Sequence, residues 1–524
     1  MLKAQKISHA AFFLVILGII SIILGYLREL FLAYRFGVSG TTDSFLVAIV
    51  PISLLVYFVR SADIAFVARF SKGIVKDEKK TWLSGSRIVN IALFSTIILG
   101  LIVFLFTPLL AKTLAPGFSQ EKLALVSTLI RLSLPALLTI PLFIFIKGIL
   151  NSYKQFTLPE IAALLPNLGV IFGILVLSLW LGVKGAVIGL TLGYVLQFLI
   201  PGIKILPFLF KNYSFSASLR DPEVRKFFFY TFCMILIMAG LNIDLVADKI
   251  FGSFLPTGSI AALNYARRIV ASVYFLIAYA LSTTLLPTLS QYHVLNNQDK
   301  FKDLFQKGIR MMIFILLPTS FLIFILREPI INILFKHGAF DKQGLLMTSS
   351  VLAIYSGAIL ALAGITFLAR IFYALDDIKI PALIGVLIMI TNIIFDFIFI
   401  KYFSFRGLAL ATLVAANLNF LFSLIYLWYK FKILKMKEWT TFISKILIAF
   451  ISMVLVALVV DLYFKNIFAY EFFKSVLQII VIAGIAIIVF LAVAYGLKME
   501  EILQFKYFIN SFTKKIKGEL KDGS

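Results

Sequence analysis

Long runs of apolar residues follow one another along almost the whole chain, and short polar or charged stretches separate them. A run of about 20 apolar residues is long enough to cross roughly 30 Å of hydrocarbon as an α-helix. The pattern predicts fourteen such helices, which begin near residues 9, 43, 86, 122, 157, 184, 227, 258, 304, 343, 380, 406, 440 and 472. A transmembrane barrel would instead show short segments of alternating polarity. The predicted fold class is therefore an all-α integral membrane protein, and Pro51 and Pro135 predict kinks within two of its helices.

Lysine and arginine residues are distributed unequally among the segments that connect the apolar runs. If the N-terminus is inside the cell, the segments on the inner side hold 28 of these residues and those on the opposite side hold 11. Cytoplasmic loops carry such an excess of basic residues. The first run is also too long for the apolar part of a signal peptide, so it is interpreted as a retained helix. An even number of helices with both termini in the cytoplasm is the expected topology.

An internal repeat divides the chain. The stretch GILNSYKQFTLPEI begins at Gly148, and RIFYALDDIKIPAL begins 222 residues later at Arg370. A second pair of similar stretches, which begins at Gly185 and Gly407, has the same offset. Because the copies lie six predicted helices apart, they share one orientation in the membrane, which indicates two pseudo-symmetric six-helix lobes. The predicted domains are two lobes at 1–220 and 221–435, two extra helices at 436–498 and a basic cytoplasmic tail at 499–524. The tail either lies on the inner leaflet as an amphipathic helix or is solvated.

Composition narrows the function classes. Of 524 residues, 61% are hydrophobic and 14% are charged, which excludes a sizeable water-soluble domain. The net charge of +24 is explained by basic loops beside the membrane, so no nucleic acid partner is expected. The single cysteine, Cys233, excludes an intramolecular disulfide. The three histidines are far apart and no catalytic motif occurs, so we expect a transporter and no enzyme.

Several arginines fall deep inside predicted helices, where a charge is costly and marks a pathway or a site. Glu29 follows Arg28, and Asp63 lies one turn from Arg60, so part of the charge can be paired. Guanidinium groups suit phosphate or carboxylate oxygens. The pattern favours a hydrated cavity for an anionic ligand, and interhelical salt bridges are the alternative. The deep arginines are Arg28, Arg60, Arg131 and Arg268.

A second group of polar residues offers only oxygen-rich side chains. Asn392 and Asp396 lie four residues apart on one face of the eleventh helix, Asp248 lies near the outer end of the seventh, and Thr412 lies one turn into the twelfth. Such oxygens suit a hard cation. From spacing alone, hydrogen bonds between helices are the favoured interpretation.

Short motifs along the chain carry a family resemblance. They are LGYLRELFLAYRFG at 24–37, TTDSF at 41–45, LAPGF at 114–118, LNSYKQFTLP at 150–159, GSIAALNYARRI at 258–269, TTLLPTLS at 283–290, FKHGAF at 335–340 and FYALDDIKIP at 372–381. These motifs together make the chain resemble the MurJ (MviN) lipid II flippases of the multidrug/oligosaccharidyl-lipid/polysaccharide exporter superfamily.

The resemblance implies a carrier of the bacterial cytoplasmic membrane. It would move the undecaprenyl-diphosphate-linked peptidoglycan precursor, lipid II, from the inner to the outer leaflet by alternating access. Two lobes would surround a cationic cavity, and the last two helices would form a groove for the lipid tail. The membrane potential or a sodium gradient would bias the return to the inward state. Besides this lipid substrate, membrane lipids are the expected partners, and we expect a monomer.

The resemblance also implies roles for individual residues. Arg28 and Arg268 match the cavity arginines that meet the diphosphate, and Asp43 matches an acidic residue near the outer end of the second helix. Ser21, Glu29 and Asn167 match other cavity positions, with Glu29 where aspartate is usual. Some members bind sodium between helices 7, 11 and 12, and the resemblance now favours a Na⁺ site here. The matching residues are Asp248, Asn392, Asp396 and Thr412.

Two arginines usual in the family are replaced here by Ile22 and Val56, and the usual E-G-A stretch reads Ser61-Ala62-Asp63. Arg60, one turn beyond Val56, is the candidate replacement. These departures leave a flippase for another polyprenyl-linked saccharide open. A drug antiporter fits less well because an arginine-rich cavity disfavours cationic drugs. A non-transporting scaffold would need no buried charges, and a glycosyltransferase would need positioned carboxylates and a water-facing domain.

Overall fold

A computed structural model describes residues 7–375, 377, 379–431, 436–467 and 472–502. The regular elements of these residues are helices, with one π-helical turn at Gly173–Leu177. The first twelve are α1 (Ile7–Phe36), α2 (Gly40–Ala48), α3 (Val50–Lys76), α4 (Glu78–Leu105), α5 (Thr107–Leu114), α6 (Gln120–Leu132), α7 (Leu134–Ser152), α8 (Thr157–Ala162), α9 (Leu165–Phe172), α10 (Ser178–Leu181), α11 (Val183–Asn212) and α12 (Pro222–Gly252). The others are α13 (Ser259–Val294), α14 (Gln298–Ile325), α15 (Arg327–Phe335), α16 (Lys342–Ser356), α17 (Ile359–Ala374), α18 (Lys379–Phe403), α19 (Phe405–Phe431), α20 (Met436–Ile467) and α21 (Phe472–Gly496).

The predicted membrane-spanning segments are helical. Within the described residues, twelve helical stretches are long and apolar enough to cross a membrane, and a pair bent by 51°, Lys342–Ser356 with Ile359–Phe372, makes thirteen. These thirteen coincide with thirteen predicted segments. The remaining segment, predicted from near residue 227, coincides with α12, which has 31 residues. The all-α membrane fold is confirmed, and the number fourteen is approximate.

Two of the predicted kinks are breaks between helices. A membrane-spanning stretch changes from α2 to α3 at Ile49, and Pro51 occupies the first turn of α3. Another changes from α6 to α7 at Ser133, and Pro135 occupies the first turn of α7. Proline has no N–H to donate to the preceding turn, so it fits the start of a helix and interrupts its middle.

The chain forms two compact units. One comprises the residues up to Ala261 together with His337–Gly344, and the other comprises Ala262–Lys336 and the residues from Leu345 onward. The domain boundaries at 220, 435 and 498 stay predictions. Residues 1–6 and 503–524, with most of the predicted basic tail, lie outside the described residues, as does residue 435.

Helix α12, which the repeat assigned to the second lobe, packs in the first unit. The Phe66 ring on α3 contacts Phe145 on α7 and Phe227 on α12, with centroids 5.2 Å and 6.2 Å apart. Just before α12, Asp221 Oδ2 accepts hydrogen bonds from Ser84 Oγ at 2.7 Å and Arg87 at 3.0 Å. Burial alone would raise the pKa of Asp221, but these hydrogen bonds and one from the Glu223 N–H lower it.

The second unit has its own apolar core between α14, α20 and α21. Phe314, Met453 and Phe490 are buried within it. Gln478 Nε2 on α21 donates to Asp461 Oδ1 on α20 at 3.0 Å, and both side chains are buried. Hydrogen bonds between small or polar groups stabilise helix pairs where hydrocarbon cannot drive their association.

The internal repeat extends to backbone hydrogen bonds. In the first copy the Gln155 N–H donates to the Leu150 carbonyl at 2.9 Å, and in the second the Asp377 N–H donates to the Phe372 carbonyl at 3.0 Å. Both partners are shifted by the 222 residues that separate the sequence motifs. Local backbone structure therefore supports the repeat that the sequence predicts.

A turn repeats at the same offset. Gly182 and Ser404 both have positive φ, at 56° and 53°. Gly185 and Gly407 then pack against the preceding helix so closely that a Cβ would lie 2.5 Å from Leu177 C and 2.4 Å from Phe399 O, respectively. Since such distances exclude a side chain, positions 185 and 407 after the turn both require glycine.

Candidate functional site

Arg28 lies in the second half of α1, inside the stretch Ile16–Phe36 that is apolar enough to cross the membrane. Its Nη2 donates to Glu29 Oε1 at 2.7 Å, and its Nη1 lies 3.4 Å from Asn167 Oδ1 on α9. The Glu29 side chain is 5% exposed, whereas that of Arg28 is 27% exposed. Two neighbours thus hold the guanidinium while part of it stays accessible. The structure brings together three residues that the family resemblance selected.

Arg60 and Arg28 both act electrostatically on a third residue, Tyr194. Arg60 is exposed on α3, and Tyr194 is half-buried on α11. The charges of both Arg28 and Arg60 act on the Tyr194 hydroxyl. The described part of the chain has no carboxylate within 4 Å of the Arg60 guanidinium, so its charge is not neutralised by a direct ion pair. This arrangement agrees with the hypothesis that Arg60 shares the surroundings of Arg28.

A second set of charges lies beside Arg60. Lys147 Nζ on α7 and Glu160 Oε1 on α8 form an ion pair of 2.6 Å. Both of them and Arg60 act electrostatically on Asp63. Asp63 Oδ1 is buried and accepts no hydrogen bond from any described group. The α3–α7–α8 region therefore contains alternating charges inside the apolar part of the first unit.

The remaining helix 1 and 2 positions are less enclosed. Ser21 is half-buried on α1, and Ile22, which replaces a family arginine, is 50% exposed. Val56 is half-buried on α3. Neither Ile22 nor Val56 can donate to an anion, so Arg28 and Arg60 are the arginines that α1 and α3 offer in the middle of their spans.

Asp43 has a structural role. It is 2% exposed in the first turn of α2, and its Oδ2 and Oδ1 accept hydrogen bonds from the N–H groups of Gly258 at 2.6 Å and Ala261 at 2.8 Å. These N–H groups begin α13 and have no partner within that helix. Asp43 thus caps α13, and its negative charge suits the helix N-terminus. Its predicted contact with substrate stays a prediction.

Arg268 belongs to the second unit. It lies in the third turn of α13 and is half-buried. Ser272 Oγ, four residues later, donates to its carbonyl oxygen at 2.9 Å. Its predicted contact with a diphosphate stays a prediction.

The candidate cation ligands are distributed between the units. In the second unit, Asn392 Nδ2 donates to Asp396 Oδ2 at 3.3 Å, and both side chains are buried. Thr412 on the adjacent α19 is half-buried and donates to the Leu408 carbonyl at 3.1 Å. Asp248, in the first unit, is buried. Asn392 Oδ1 is buried and accepts no hydrogen bond from the described residues, and such an oxygen fits a hard cation.

Tyr194 and the Lys147–Glu160 pair were not singled out from the sequence as site residues. Tyr194 lies in an apolar run with no charged neighbour to mark it. Lys147 lies near a predicted helix end, where a long side chain reaches water and is ordinarily structural. Only the helix packing brings the charges of two arginines from other helices to act on Tyr194.

Comparisons with known proteins identify relatives over most of the chain. A family model described as "Lipid II flippase MurJ" matches residues 32–482. A "Probable lipid II flippase MurJ" of Buchnera aphidicola subsp. Baizongia pistaciae (strain Bp) is 29% identical over 447 residues, which cover 83% of this chain and 86% of that protein. A "Lipid II flippase MurJ" of Burkholderia cenocepacia is 28% identical over 415 residues, which cover 76% of this chain and 80% of that protein.

Solved structures with the same fold include a lipid II flippase and a multidrug transporter. "Lipid II flippase MurJ, inward closed conformation" superposes with a TM-score of 0.76 at 26% identity, covering 92% of this chain and 97% of that one. An inward-facing multidrug resistance MATE family transporter of the MOP superfamily superposes with a TM-score of 0.64 at 14% identity, covering 78% and 94%. The second likeness concerns the fold alone.

Proposed function

The chain belongs to the lipid II flippase MurJ family, and from this membership we propose that it moves lipid II from the inner to the outer leaflet of the bacterial cytoplasmic membrane. It is a multi-pass membrane protein of a transporter family, so its function is to move a molecule across the bilayer. We propose alternating access between the two leaflets as the mechanism.

The position of Arg60 carries the proposal for the substrate site. Arg60 lies 16 residues from the end of the span Gly40–Lys76, or about 24 Å along the helix. An exposed guanidinium at this depth would be costly against lipid tails, so it faces water or an anion. It shares Tyr194 with Arg28, whose own charge is matched by Glu29. Arg28 and Arg60 thus offer two forks to a diphosphate, with one positive charge in excess.

We expect Arg60→Ala to lower lipid II export about tenfold at matched expression, because one charge-assisted contact to the diphosphate is lost. Arg406→Ala is the matched control, since Arg406 is an exposed arginine that stacks on Phe405 at the start of α19. The measurement is the amount of labelled lipid II that reaches the outer leaflet. Export equal to wild type in Arg60→Ala would show that Arg60 does not replace the missing arginines.

The alternative substrate is a different polyprenyl-diphosphate-linked saccharide. The replacement of two family arginines by Ile22 and Val56 favours that alternative. A competition experiment distinguishes them: labelled lipid II bound to the purified protein is displaced by unlabelled lipid II or by a polyprenyl diphosphate that carries another saccharide. We expect displacement by lipid II at lower concentration. Equal or better displacement by the other lipid would assign the chain to that substrate.

We propose that a sodium ion binds the oxygen atoms of Asn392, Asp396 and Thr412 in the second unit, and Asp248 stays a ligand that the family resemblance predicts. The buried Asn392–Asp396 pair and the unused Asn392 Oδ1 support this proposal. A bound sodium ion would supply positive charge that compensates the buried carboxylates and link sodium binding to the stability of the carrier.

Sodium is expected to raise the melting temperature of the purified protein, whereas equimolar potassium has no such effect. Asp396→Asn should abolish the difference, because the carboxylate charge beside Asn392 is lost. Asp461→Asn is the matched control, since Asp461 is a buried aspartate bound to Gln478. That variant should keep the response to sodium. A wild-type protein that responds equally to both ions would contradict the site.

We propose that the protein acts as a monomer and that α20 and α21 hold the lipid tail. We also propose that both termini are cytoplasmic. The excess of basic residues in alternate connections supports the orientation.

A further inference from the structure

A cavity of about 460 Å³ lies in the first unit, where α3 ends, α4 begins and α12 passes beside both. Arg28, Asn167 and the other residues proposed to contact lipid II are not among those that line it. Its volume lies within the range of small-molecule sites. This elbow cavity, between α3, α4 and α12, is therefore separate from the residues proposed to contact lipid II and large enough for a small molecule.

The floor of the elbow cavity is aromatic. Phe66, Phe70 and Phe227 line it, and each is buried by packing in the core of the unit. The Phe66 and Phe70 rings stack with centroids 5.0 Å apart. A rigid apolar floor contacts hydrocarbon favourably and gives a small hydrated anion nothing to bind.

The rim of the elbow cavity is basic. Four basic side chains line it beside two acidic ones, Asp77 and Glu223. Both acids already have partners, because Asp77 Oδ1 accepts from the Lys80 N–H at 3.0 Å and Glu223 Oε2 accepts from Arg69 at 3.0 Å. The basic residues are Arg69, Lys72, Lys76 and Lys80.

Three lysines of this rim have ammonium groups without an ion pair. Lys72, Lys76 and Lys80 are exposed, and no carboxylate of a described residue lies within 4 Å of them. Asp77 is the N-cap of α4, so its carboxylate accepts from the Lys80 N–H and is not paired with the lysine ammonium groups. The rim is thus prepared for phosphate oxygens, and Arg69 is already held by Glu223.

The elbow cavity lies at a membrane boundary. The spanning stretch Gly40–Lys76 ends at its rim, and the next one, Glu78–Leu105, begins there. The connection belongs to the side that the charge distribution predicts to be cytoplasmic. An apolar floor, a cationic rim and a position at the bilayer surface together match an amphiphile with an anionic head. We propose that the elbow cavity binds an anionic phospholipid of the inner leaflet, with its phosphate at the three lysines and its glycerol and first methylenes over the aromatic floor.

The test compares wild type with the triple variant Lys72→Gln/Lys76→Gln/Lys80→Gln. The matched control is Lys204→Gln/Lys211→Gln/Lys300→Gln, which removes three exposed lysines that do not line the cavity. Native mass spectrometry counts the lipids bound to purified protein after titration with phosphatidylglycerol or phosphatidylcholine. We expect wild type and control to prefer phosphatidylglycerol about tenfold, and the triple variant to lose this preference.

A second measurement places the lipid. Phosphatidylglycerol with a photoreactive group close to its glycerol should label the peptide that spans residues 66–88, and labelling should fall in the triple variant. Unchanged phosphatidylglycerol binding in that variant, or labelling elsewhere alone, would overturn the proposal. Displacement of phosphatidylglycerol by equimolar glycerol 3-phosphate would also overturn it, since the site would then bind a free phosphate. Equal melting temperatures of the two triple variants verify that folding is unaffected.

Discussion

Arg28→Ala is expected to lower lipid II export at least about hundredfold at matched expression, because a diphosphate loses a guanidinium fork and its charge-assisted hydrogen bonds. The expected loss exceeds that for Arg60→Ala, since Glu29 and Asn167 hold Arg28 in place. Preorganised groups contribute more to binding than mobile ones, which lose conformational entropy. Arg28→Lys keeps the charge but loses the fork, so we expect an intermediate loss. The measurement is labelled lipid II in the outer leaflet of cells that depend on the variant.

Folding and binding must be separated in this experiment. Removal of Arg28 alone leaves Glu29 buried with its ion pair lost, and an uncompensated buried charge is strongly destabilising. The double variant Arg28→Ala/Glu29→Gln removes both charges. It should recover the melting temperature and stay defective in export. Recovery of export in the double variant would show that Arg28 serves only to neutralise Glu29.

Asp43→Ala is expected to lower the free energy of unfolding by about 3 to 6 kcal/mol, because two charge-assisted hydrogen bonds are lost. Both acceptor oxygens face N–H groups at the start of α13, and the aspartate is buried there. The substitution therefore leaves two N–H donors without a partner in a place that water does not reach. Thermal unfolding of the purified protein in detergent measures the effect.

Two variants calibrate the Asp43 experiment. Asp43→Asn keeps one acceptor oxygen, so its loss of stability should be smaller. Asp341→Ala removes an exposed aspartate that accepts from the Gly344 N–H at 2.7 Å, and it should cost little. If Asp43→Ala melts like wild type but abolishes export, the cap does not matter for stability and Asp43 belongs to the substrate site.

The helices were predictable because their signal is local. The length of each apolar run and the prolines that interrupt it determine where a spanning helix begins and ends. The repeat was predictable for the same reason, since the turns at Gly182 and Ser404 depend on residues close to them in sequence. The bend between α16 and α17 was not predicted, because the run across Gly357 stays apolar.

The site required contacts between distant residues. Arg28 and Asn167 are 139 residues apart in sequence, and Asp43 and Ala261 are 218 apart. The hydrophobic pattern of a helix does not connect residues so far apart. The sequence pattern therefore indicated that charged residues lie inside helices, but not which residues contact each other. The family resemblance supplied their identity and predicts that Asp43 contacts substrate, and the structure adds a helix cap that the sequence did not indicate. The packing of α12 in the first unit likewise depends on Phe227 meeting Phe66 and Phe145, which the symmetry of the repeat does not reveal.

The most direct measurement is rescue of a bacterium depleted of its own lipid II flippase by this chain, with export of labelled lipid II to the outer leaflet as the readout. The proposed function predicts that wild type restores growth and export, and that Arg28→Ala/Glu29→Gln inserts normally and restores neither. A wild-type chain that is well expressed and correctly inserted, yet restores neither growth nor export, would contradict lipid II flipping. Ile22 and Val56 would then be the first positions to convert to arginine.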